Sequence, residues 1–480
     1  MKNRREFLLD AVAATAGATV CISPGAGVES CAAADDPVFS PRASVKGMKL
    51  NVSPNGRYFV DQHGKPFFYL GDTIWLIFQR FNKEEADEYL EDRAAKGFNV
   101  IQAYVLRGLE ERHPDGSTSL LGETPLVGRD PAKPNEAFFK NVDHVVNRAN
   151  ELGFVMGLVV AKSWHVNKHK EQVFDLKNAH TFGRFLGERY KNNAVLWYVG
   201  GDSVPASDRE VWVAMARGLK DGSEGSQLVS YHGSGGTSSS TWFHTEGWLD
   251  FNSIQSGHGW AAKTYRFITQ DYGLEPAKPT VDMEPSYENH PTGAKTPRID
   301  SHQVRKGAYW AMLAGAAGHG YGALDLFHLY KDNEGPFPRN GFQPWRKAMA
   351  YEGSRHVGIM RQLFELRPWY QLVPDQSVVA AGQGEGEDHV QAARAGDGSF
   401  VIAYLPSGKP ITIALDKLSG KSVKAQWYDP RTGVWSPIGE YRNSGNQKFE
   451  APSSGEKDDW VLVLEDLTKK FTTEPPKKRD

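Results

Sequence analysis

Short apolar segments alternate with helical segments along most of this chain, and the alternation limits the folds open to it. Residues 67–70 form an apolar run that ends at Gly71, as a buried parallel strand does. Asn82 and Glu85 then make the capping box that begins a helix, and Gly97 ends it. The same pattern predicts strands at 67–70, 98–104, 154–160, 195–199, 227–231, 251–255, 279–283 and 320–324.

Eight strands in βα alternation predict an α/β fold of the (β/α)₈ TIM-barrel type over residues 45–370, with strand order equal to sequence order. A doubly wound sheet is the alternative. That fold would have fewer βα units and a nucleotide-binding loop, which the sequence lacks. Besides the helix after Asn82, the pattern predicts helices at 136–152, 171–192, 208–219, 260–272 and 301–316.

The hydrophobic period changes near residue 371, where apolar and polar residues begin to alternate between turn signals. No helical pattern remains after this point, so residues 371–468 are predicted to form a small antiparallel β-sandwich. The charged tail 469–480 is predicted to be disordered. Strands are predicted at 399–405, 411–415, 423–428 and 459–465.

The first 44 residues are predicted to be an export signal and linker. Arg4 and Arg5 precede an apolar run from Ala11 to Ile22, which resembles a twin-arginine signal; an ordinary secretory signal is the alternative. We expect a periplasmic or extracellular destination and no membrane span. Cys31 follows the signal, but Glu29 fits a lipid-anchor site poorly, and the chain from residue 45 has no cysteine for a disulfide.

The composition excludes one class of partner and favours another. Lys and Arg number 56 against 58 Asp and Glu, so no basic excess is present to bind nucleic acid. The chain is rich in aromatic residues, with 13 Trp, 18 Tyr and 24 Phe. Flat rings beside carboxylates suit a cleft that binds an oligo- or polysaccharide.

Polar and aromatic residues collect where the predicted strands end, which is where TIM barrels carry their reacting groups. Asp202 ends the fourth strand after two glycines, and Glu284 ends the seventh. These two are the predicted catalytic carboxylates. The predicted substrate-binding residues are Asp72, Trp75, Gln102, Tyr104, Trp164, His232, Gln255, His258, Tyr287, Glu288 and His319.

Glycoside hydrolysis needs two carboxyl groups, one to protonate the leaving oxygen and one to attack the sugar or activate water. The fourth and seventh strands face each other across a barrel mouth, so their side chains can meet over a sugar ring. Asp202 could instead cap a helix or pair with a loop cation, and Glu284 could pair with an arginine such as Arg305.

Other chemistries have weaker patterns, and no cofactor or metal is expected. His165 and His169 have the spacing of a zinc-protease helix, but Val166 occupies the position of its glutamate. The turn at Gly420 lacks the leading glycine of a phosphate-binding loop, because Leu415 stands there. No Gly-x-Ser-x-Gly elbow is present to supply a serine nucleophile.

Several long motifs resemble the apiosidase-like catalytic domain over roughly residues 50–370. The C-terminal part is similar to a domain family named for collagen binding by a collagenase, at Ala425-Gln-Trp-Tyr-Asp-Pro-Arg-Thr-Gly433 and Asp459-Trp-Val-Leu-Val463. The catalytic-domain motifs are Phe68-Tyr-Leu-Gly-Asp-Thr-Ile-Trp75, Gly97-Phe-Asn-Val-Ile-Gln102, Trp197-Tyr-Val-Gly-Gly-Asp202, Asp250-Phe-Asn-Ser-Ile-Gln-Ser-Gly-His258, Glu284-Pro-Ser-Tyr-Glu288 and the stretch from Arg305 to Tyr321.

The resemblance implies a retaining glycosidase with Asp202 as acid/base and Glu284 as nucleophile, and its characterised members remove apiose from plant pectin. The layout also resembles glycoside hydrolase clan A, which usually has Asn-Glu where this chain has Gly201-Asp202. The shorter Asp would have to lie deeper. The loops 105–135, 233–247 and 285–300 do not identify a sugar.

We therefore expect an exported retaining glycoside hydrolase acting on a plant or other complex polysaccharide. A non-catalytic protein that binds glycan or matrix is the alternative. A collagen-degrading enzyme is suggested only by the C-terminal family name, and the sequence shows no protease site. For the sandwich, exposed rings at Trp427, Trp435 and Trp460 would favour ligand or collagen binding, whereas buried rings would favour support of the barrel.

Overall fold

Eight parallel strands form a closed barrel in this computed structural model, which describes residues 39, 42–109, 123–167, 171–260, 262–293, 297–331 and 341–473. The predicted export signal and most of the predicted tail lie outside the described residues. The barrel strands are β1 (Tyr69–Thr73), β2 (Val100–Leu106), β3 (Val155–Ala161), β4 (Val195–Gly200), β5 (Val229–His232), β6 (Asn252–Gln255), β7 (Thr280–Asp282) and β8 (Gly318–Tyr321).

The parallel strands follow one another around the sheet in the order β5-β4-β3-β2-β1-β8-β7-β6, so each lies beside its sequence neighbour. A two-residue antiparallel strand, Thr237–Ser238, pairs with β6 as the ninth strand of this sheet. Side chains join β5 to β6 and close the barrel. Ser230 Oγ donates to Phe251 O at 2.7 Å, and Ser253 Oγ donates to Tyr231 O. The predicted (β/α)₈ barrel and its strand order are confirmed.

Helices surround the barrel and begin where their caps predict. Asn82 and Glu85 form the expected capping box at the start of α1, and Asp175 caps α3 five residues later than the predicted start. β5 and β6 are connected by a single helical turn, Ser240–Phe243. The main helices are α1 (Lys83–Ala95), α2 (Glu136–Glu151), α3 (Leu176–Tyr190), α4 (Arg209–Gly222), α5 (Thr264–Tyr272), α6 (Ser301–Leu313) and α7 (Glu352–Glu365).

The C-terminal domain is the predicted antiparallel sandwich, built from two sheets. A six-stranded sheet has the order β9-β11-β12-β17-β14-β15, and a three-stranded sheet has the order β10-β13-β16. The strands are β9 (Leu372–Pro374), β10 (Val379–Ala381), β11 (Gln391–Ala395), β12 (Phe400–Leu405), β13 (Ile411–Ala414), β14 (Ser422–Tyr428), β15 (Trp435–Arg442), β16 (Asn446–Phe449) and β17 (Trp460–Asp466).

Several strands have no sequence prediction, for local reasons. β11 is rich in alanine, and β15 contains Pro437 and Gly439, which lower β-propensity. The register of β14 on β15 shifts at Ala425, a β-bulge that lets the strand tolerate its proline. A small antiparallel sheet before the barrel, from residues 51–52, 59–60 and 66–67, is equally without a prediction because its strands are two residues long.

A buried ion pair joins barrel to sandwich. Arg305 on α6 donates to both oxygens of Asp459 at 2.8 Å, and Tyr404 Oη donates to the same carboxylate at 2.8 Å. Tyr309 stacks on Tyr404 with ring centroids 4.8 Å apart. Arg305 therefore belongs to the domain interface, and the alternative pairing with Glu284 is wrong.

The tryptophans of the sandwich face inward. Trp427 and Trp460 are buried and pack against each other at 6.4 Å between centroids. Trp435 is half-buried between Tyr428 and the guanidinium of Arg367 on the barrel side. This arrangement favours a supporting role for the sandwich over ligand binding by a row of exposed rings.

We predict that Asp459→Asn destabilises the protein by about 3–5 kcal/mol, because it leaves the buried Arg305 guanidinium without its counter-charge. Urea denaturation measures the free energy of unfolding. Lys457→Met is the matched control, since it removes a barrel–sandwich pair with Asp300 whose lysine is 60% exposed, and we expect it to cost at most about 1 kcal/mol. Equal stabilities of the two variants would contradict this account.

Candidate active site

A cleft of about 330 Å³ opens at the carboxyl ends of the barrel strands. Its walls come from strand ends and from the loops that follow them, which is where a TIM barrel presents its reacting groups. Both predicted catalytic carboxylates line it. The lining residues are Trp75, Tyr104, Arg107, Lys162, Trp164, Asp202, Gln255, His258, Glu284, Tyr287, His290, Leu324 and Phe327.

Glu284 lies at the base of this cleft, two residues after the end of β7. Its backbone is fixed, because Met283 N donates to Ile254 O at 2.9 Å and the Gln102 amide donates to Met283 O at 2.8 Å. Glu284 is 5% exposed, so it contacts the cleft while most of it is buried. A reactive group held by neighbouring strands in this way has little freedom to reorient.

Two histidines hold the Glu284 carboxylate. His232 Nε2 donates to Oε2 at 2.7 Å, and His258 Nε2 donates to Oε1 at 3.2 Å. Burial alone would raise the pKa of Glu284, but these two hydrogen bonds outweigh it and hold the pKa well below its usual range. Glu284 is therefore ionised at neutral pH, as a nucleophile must be.

His258 carries both of its protons. Its Nδ1 faces Pro285 O at 3.0 Å and its Nε2 faces Glu284, and neither acceptor can donate a hydrogen. Burial lowers the pKa of His258, but the hydrogen bond to Glu284 raises it by more, so the pKa lies above its usual value of 6.5. The imidazolium also packs on the Tyr287 ring at 4.3 Å between centroids.

Asp202 reaches the cleft through an unusual turn. Gly200, Gly201 and Asp202 have φ values of 106°, 93° and 63°, all in the left-handed region that favours glycine. A Cβ on Gly201 would lie 2.1 Å from Ala161 O, so only glycine fits there. This turn presses the Asp202 loop against the end of β3, and Asp202 accepts the strain of a non-glycine residue at positive φ.

Lys162, the residue after β3, is the charge partner of Asp202. Its Nζ lies 2.5 Å from Asp202 Oδ2, with the lysine side chain 11% exposed and the carboxylate 38% exposed. Burial lowers the pKa of Lys162, although Asp202 opposes the shift. The ammonium also lies 5.5 Å from the Trp164 ring. One carboxyl group of the cleft is thus deep and ionised, and the other is paired and open to water.

The structure brings most of the predicted residues together. Trp75, Tyr104, Trp164, Gln255, His258 and Tyr287 line the cleft with the two carboxylates. His232 lies behind Glu284 and stacks on Trp75, with ring centroids 5.5 Å apart. It contacts the carboxylate and is 1% exposed, so it supports Glu284 from behind and does not line the cleft.

Besides His232, four residues predicted to bind substrate lie outside the cleft lining, and all four are buried. Asp72 is paired with Arg93 at 3.2 Å, and burial raises its pKa to about 6. Glu288 accepts from Tyr321 Oη at 2.7 Å, and burial raises its pKa to about 7. The other two are Gln102, which donates to the main chain at Met283, and His319, which lies on β8 opposite Asp282 of β7 and is 1% exposed.

Five lining residues had no prediction: Arg107, Lys162, His290, Leu324 and Phe327. Arg107 and Lys162 directly follow β2 and β3, so the strand-end rule could have found them. The Arg107 guanidinium stacks on Trp164 at 4.5 Å from the ring centroid. His290 and Phe327 come from later loop and short-helix positions, which strand ends do not mark.

A family model described as "Apiosidase-like, catalytic domain" matches residues 53–371. The chain belongs to this family. A second model, "Putative collagen-binding domain of a collagenase", matches residues 373–465. The apiosidase-like match covers the whole barrel, including both carboxylates of the cleft.

Solved structures share this fold. A glycoside hydrolase is 30% identical with a TM-score of 0.81, and the match covers 90% of this chain and 100% of that one. A family 5 glycoside hydrolase from Bacteroides vulgatus is 31% identical with a TM-score of 0.83, over 90% and 96%. This chain therefore has a glycoside hydrolase fold. A search of curated proteins found no match.

Metal-binding clusters and membrane-spanning helices are both absent from the residues that the structure describes. No group of three or more His, Cys, Asp or Glu in this part of the chain is arranged to hold a metal ion, and His169 lies outside it. None of the helices there combines the length and apolarity needed to cross a bilayer.

We predict that Glu284→Gln lowers the pKa of His258, because it removes the negative charge that stabilises the imidazolium. In the wild type the pKa of His258 is raised in the folded state. Its protonated ring therefore contributes fully to the free energy of unfolding below about pH 6.5, and this contribution is lost as the pH rises through the raised pKa. NMR titration of the histidine ring protons measures the shift. The control Glu210→Gln, on the outer helix α4, should leave it unchanged.

Proposed function

We propose that this protein is a retaining glycoside hydrolase with Glu284 as nucleophile and Asp202 as acid/base. The proposal rests on one observation: the cleft contains two carboxyl groups, one buried and one partly exposed to solvent. Glu284 is buried and held ionised by two histidines, whereas Asp202 is partly exposed beside Lys162. Environments that separate two carboxyl groups in this way assign them different roles in catalysis.

In the first step, the Glu284 carboxylate attacks the anomeric carbon and Asp202 donates a proton to the leaving oxygen. Asp202 can take up this proton from water, because 38% of its side chain is exposed. In the second step, Asp202 removes a proton from water, which displaces Glu284 from the sugar.

The walls of the cleft suit a sugar ring. Trp75, Trp164 and Tyr287 offer flat apolar faces, and Gln255 supplies an amide that can bind hydroxyl groups. We propose an exported enzyme that acts on a plant or other complex polysaccharide, with apiosides among the candidate substrates because the family is apiosidase-like. The twin-arginine pattern before Phe7 supports export by that route.

We predict that Glu284→Gln lowers kcat by about 10⁴-fold or more, because an amide cannot attack the anomeric carbon. The measurement is sugar release from a panel of aryl glycosides and pectic and hemicellulosic polysaccharides. The control Glu210→Gln should keep full activity. Near-wild-type hydrolysis by Glu284→Gln would contradict the nucleophile assignment; polymer binding without hydrolysis by the wild type would favour the glycan-binding alternative.

Asp202→Asn should separate substrates by their leaving groups. An aryl leaving group of low pKa departs with little help from an acid, so its glycoside should lose much less activity in the first step than an alkyl glycoside. Added azide should then restore turnover, because it attacks the glycosyl-enzyme without a base. The products to detect by NMR are a glycosyl azide of retained anomeric configuration and, in the wild type, a retained hemiacetal. Inversion in either case would contradict the mechanism.

A further inference from the structure

A second groove lies at the opposite end of the barrel from the cleft. It has a volume of about 400 Å³, within the range of small-ligand sites, and it lies where barrel and sandwich meet. Tyr272 comes from the end of α5, and Tyr370 with Gln371 follows α7. Asp397 comes from a sandwich turn. The ends of barrel helices lie at the amino ends of the strands, so this groove is not part of the catalytic cleft.

Three half-exposed tyrosine rings shape the groove. Tyr58 and Tyr370 lie side by side with ring centroids 5.5 Å apart. Tyr272 is fixed by Arg57, whose guanidinium lies 3.9 Å from the ring centroid and donates to Tyr272 O at 2.6 Å. Trp369 supports Tyr58 from below at 5.9 Å. The rings are therefore held in place before any ligand arrives, which reduces the entropy lost on binding.

Polar groups accompany the rings. Within the described residues, the three phenol oxygens make no hydrogen bond to the chain. Gln371 is exposed, and the Asp397 carboxylate lies 3.9 Å from Lys469 at the rim. Arg57 and Asp397 balance each other in charge. A groove with apolar faces, hydroxyl and amide groups and no net charge matches a polyhydroxylated ring better than it matches a lipid or an ionic ligand.

We propose that this groove binds a stretch of polysaccharide away from the catalytic cleft. The proposal rests on the glycoside hydrolase function for the kind of ligand, but binding here requires no catalysis. The sandwich presents no exposed row of tryptophans, so its contribution to glycan binding is made at this junction with the barrel. A polymer held at the far end of the barrel keeps the enzyme on its substrate between cleavage events.

The test uses native gel electrophoresis of the full chain carrying Glu284→Gln, in gels containing citrus pectin or xyloglucan and in a polymer-free gel. Truncation of an aromatic anchor costs more than about 1 kcal/mol, so Tyr272→Ala and Tyr370→Ala should each weaken retardation about fivefold or more. Tyr370→Phe keeps the ring and should retain most of the binding. Tyr441→Ala, a half-exposed tyrosine of β15 outside the groove, should bind as the parent does.

Activity measurements on otherwise wild-type enzyme complete the test. The groove variants should lose rate on polymer but keep kcat/KM on a small aryl glycoside, whereas Trp164→Ala in the cleft should lose both. Gln371→Ala, which removes only an exposed amide, should weaken polymer binding without lowering the melting temperature. Three outcomes would overturn the proposal. The tyrosine variants could be retarded as strongly as the parent in both polymers, or the parent itself could show no retardation. The parent could also form a dimer that the tyrosine variants do not form. Absence of sugar release by the wild-type enzyme would refute the hydrolase assignment and leave the gel result standing.

Discussion

The arrangement of the cleft depends on keeping the buried carboxylate of Glu284 ionised. Burial of an ion is costly unless donors compensate it, and Glu284 has two imidazole donors arranged on its two oxygens. His232 is the last residue of β5 and His258 follows β6, so the barrel has to bring the ends of these neighbouring strands together for this charge to be tolerated. The serine bonds that join β5 to β6 close the barrel beside this pair.

Most of the barrel could be predicted because a parallel strand buried on both faces reads as an apolar run, and helix caps have local signatures. Asn82 with Glu85 is such a signature, and it lies where the sequence places it. The sandwich was harder to predict, since Pro437 in β15 is tolerated only through a bulge, which depends on the neighbouring strand. The period of apolar residues indicates which side chains are buried, but it does not indicate how one strand is aligned with the next.

The candidate site was likewise predictable only in part from the sequence. Position at a strand end predicted the residues of the cleft, but it could not tell a side chain that faces the cleft from one that faces a helix. Asp72 follows the rule and yet lies against Arg93 and Tyr89 in a buried network. Lys162 follows β3 directly, but a single lysine at a strand end has no sequence pattern that marks it as the partner of a carboxylate. Its pairing with Asp202 depends on the turn at Gly201, which composition cannot reveal.

That turn has a consequence for how such enzymes are compared. In the proposed mechanism, the turn at Gly200 and Gly201 brings the main chain of Asp202 toward the substrate, whereas a longer acid would project from an extended strand end. The side chain of Asp202 is one methylene shorter than that of a glutamate, and the position of the loop compensates for this difference in length. Matching these proteins column by column on the identity of the acid would separate relatives that solve one geometric problem in two ways.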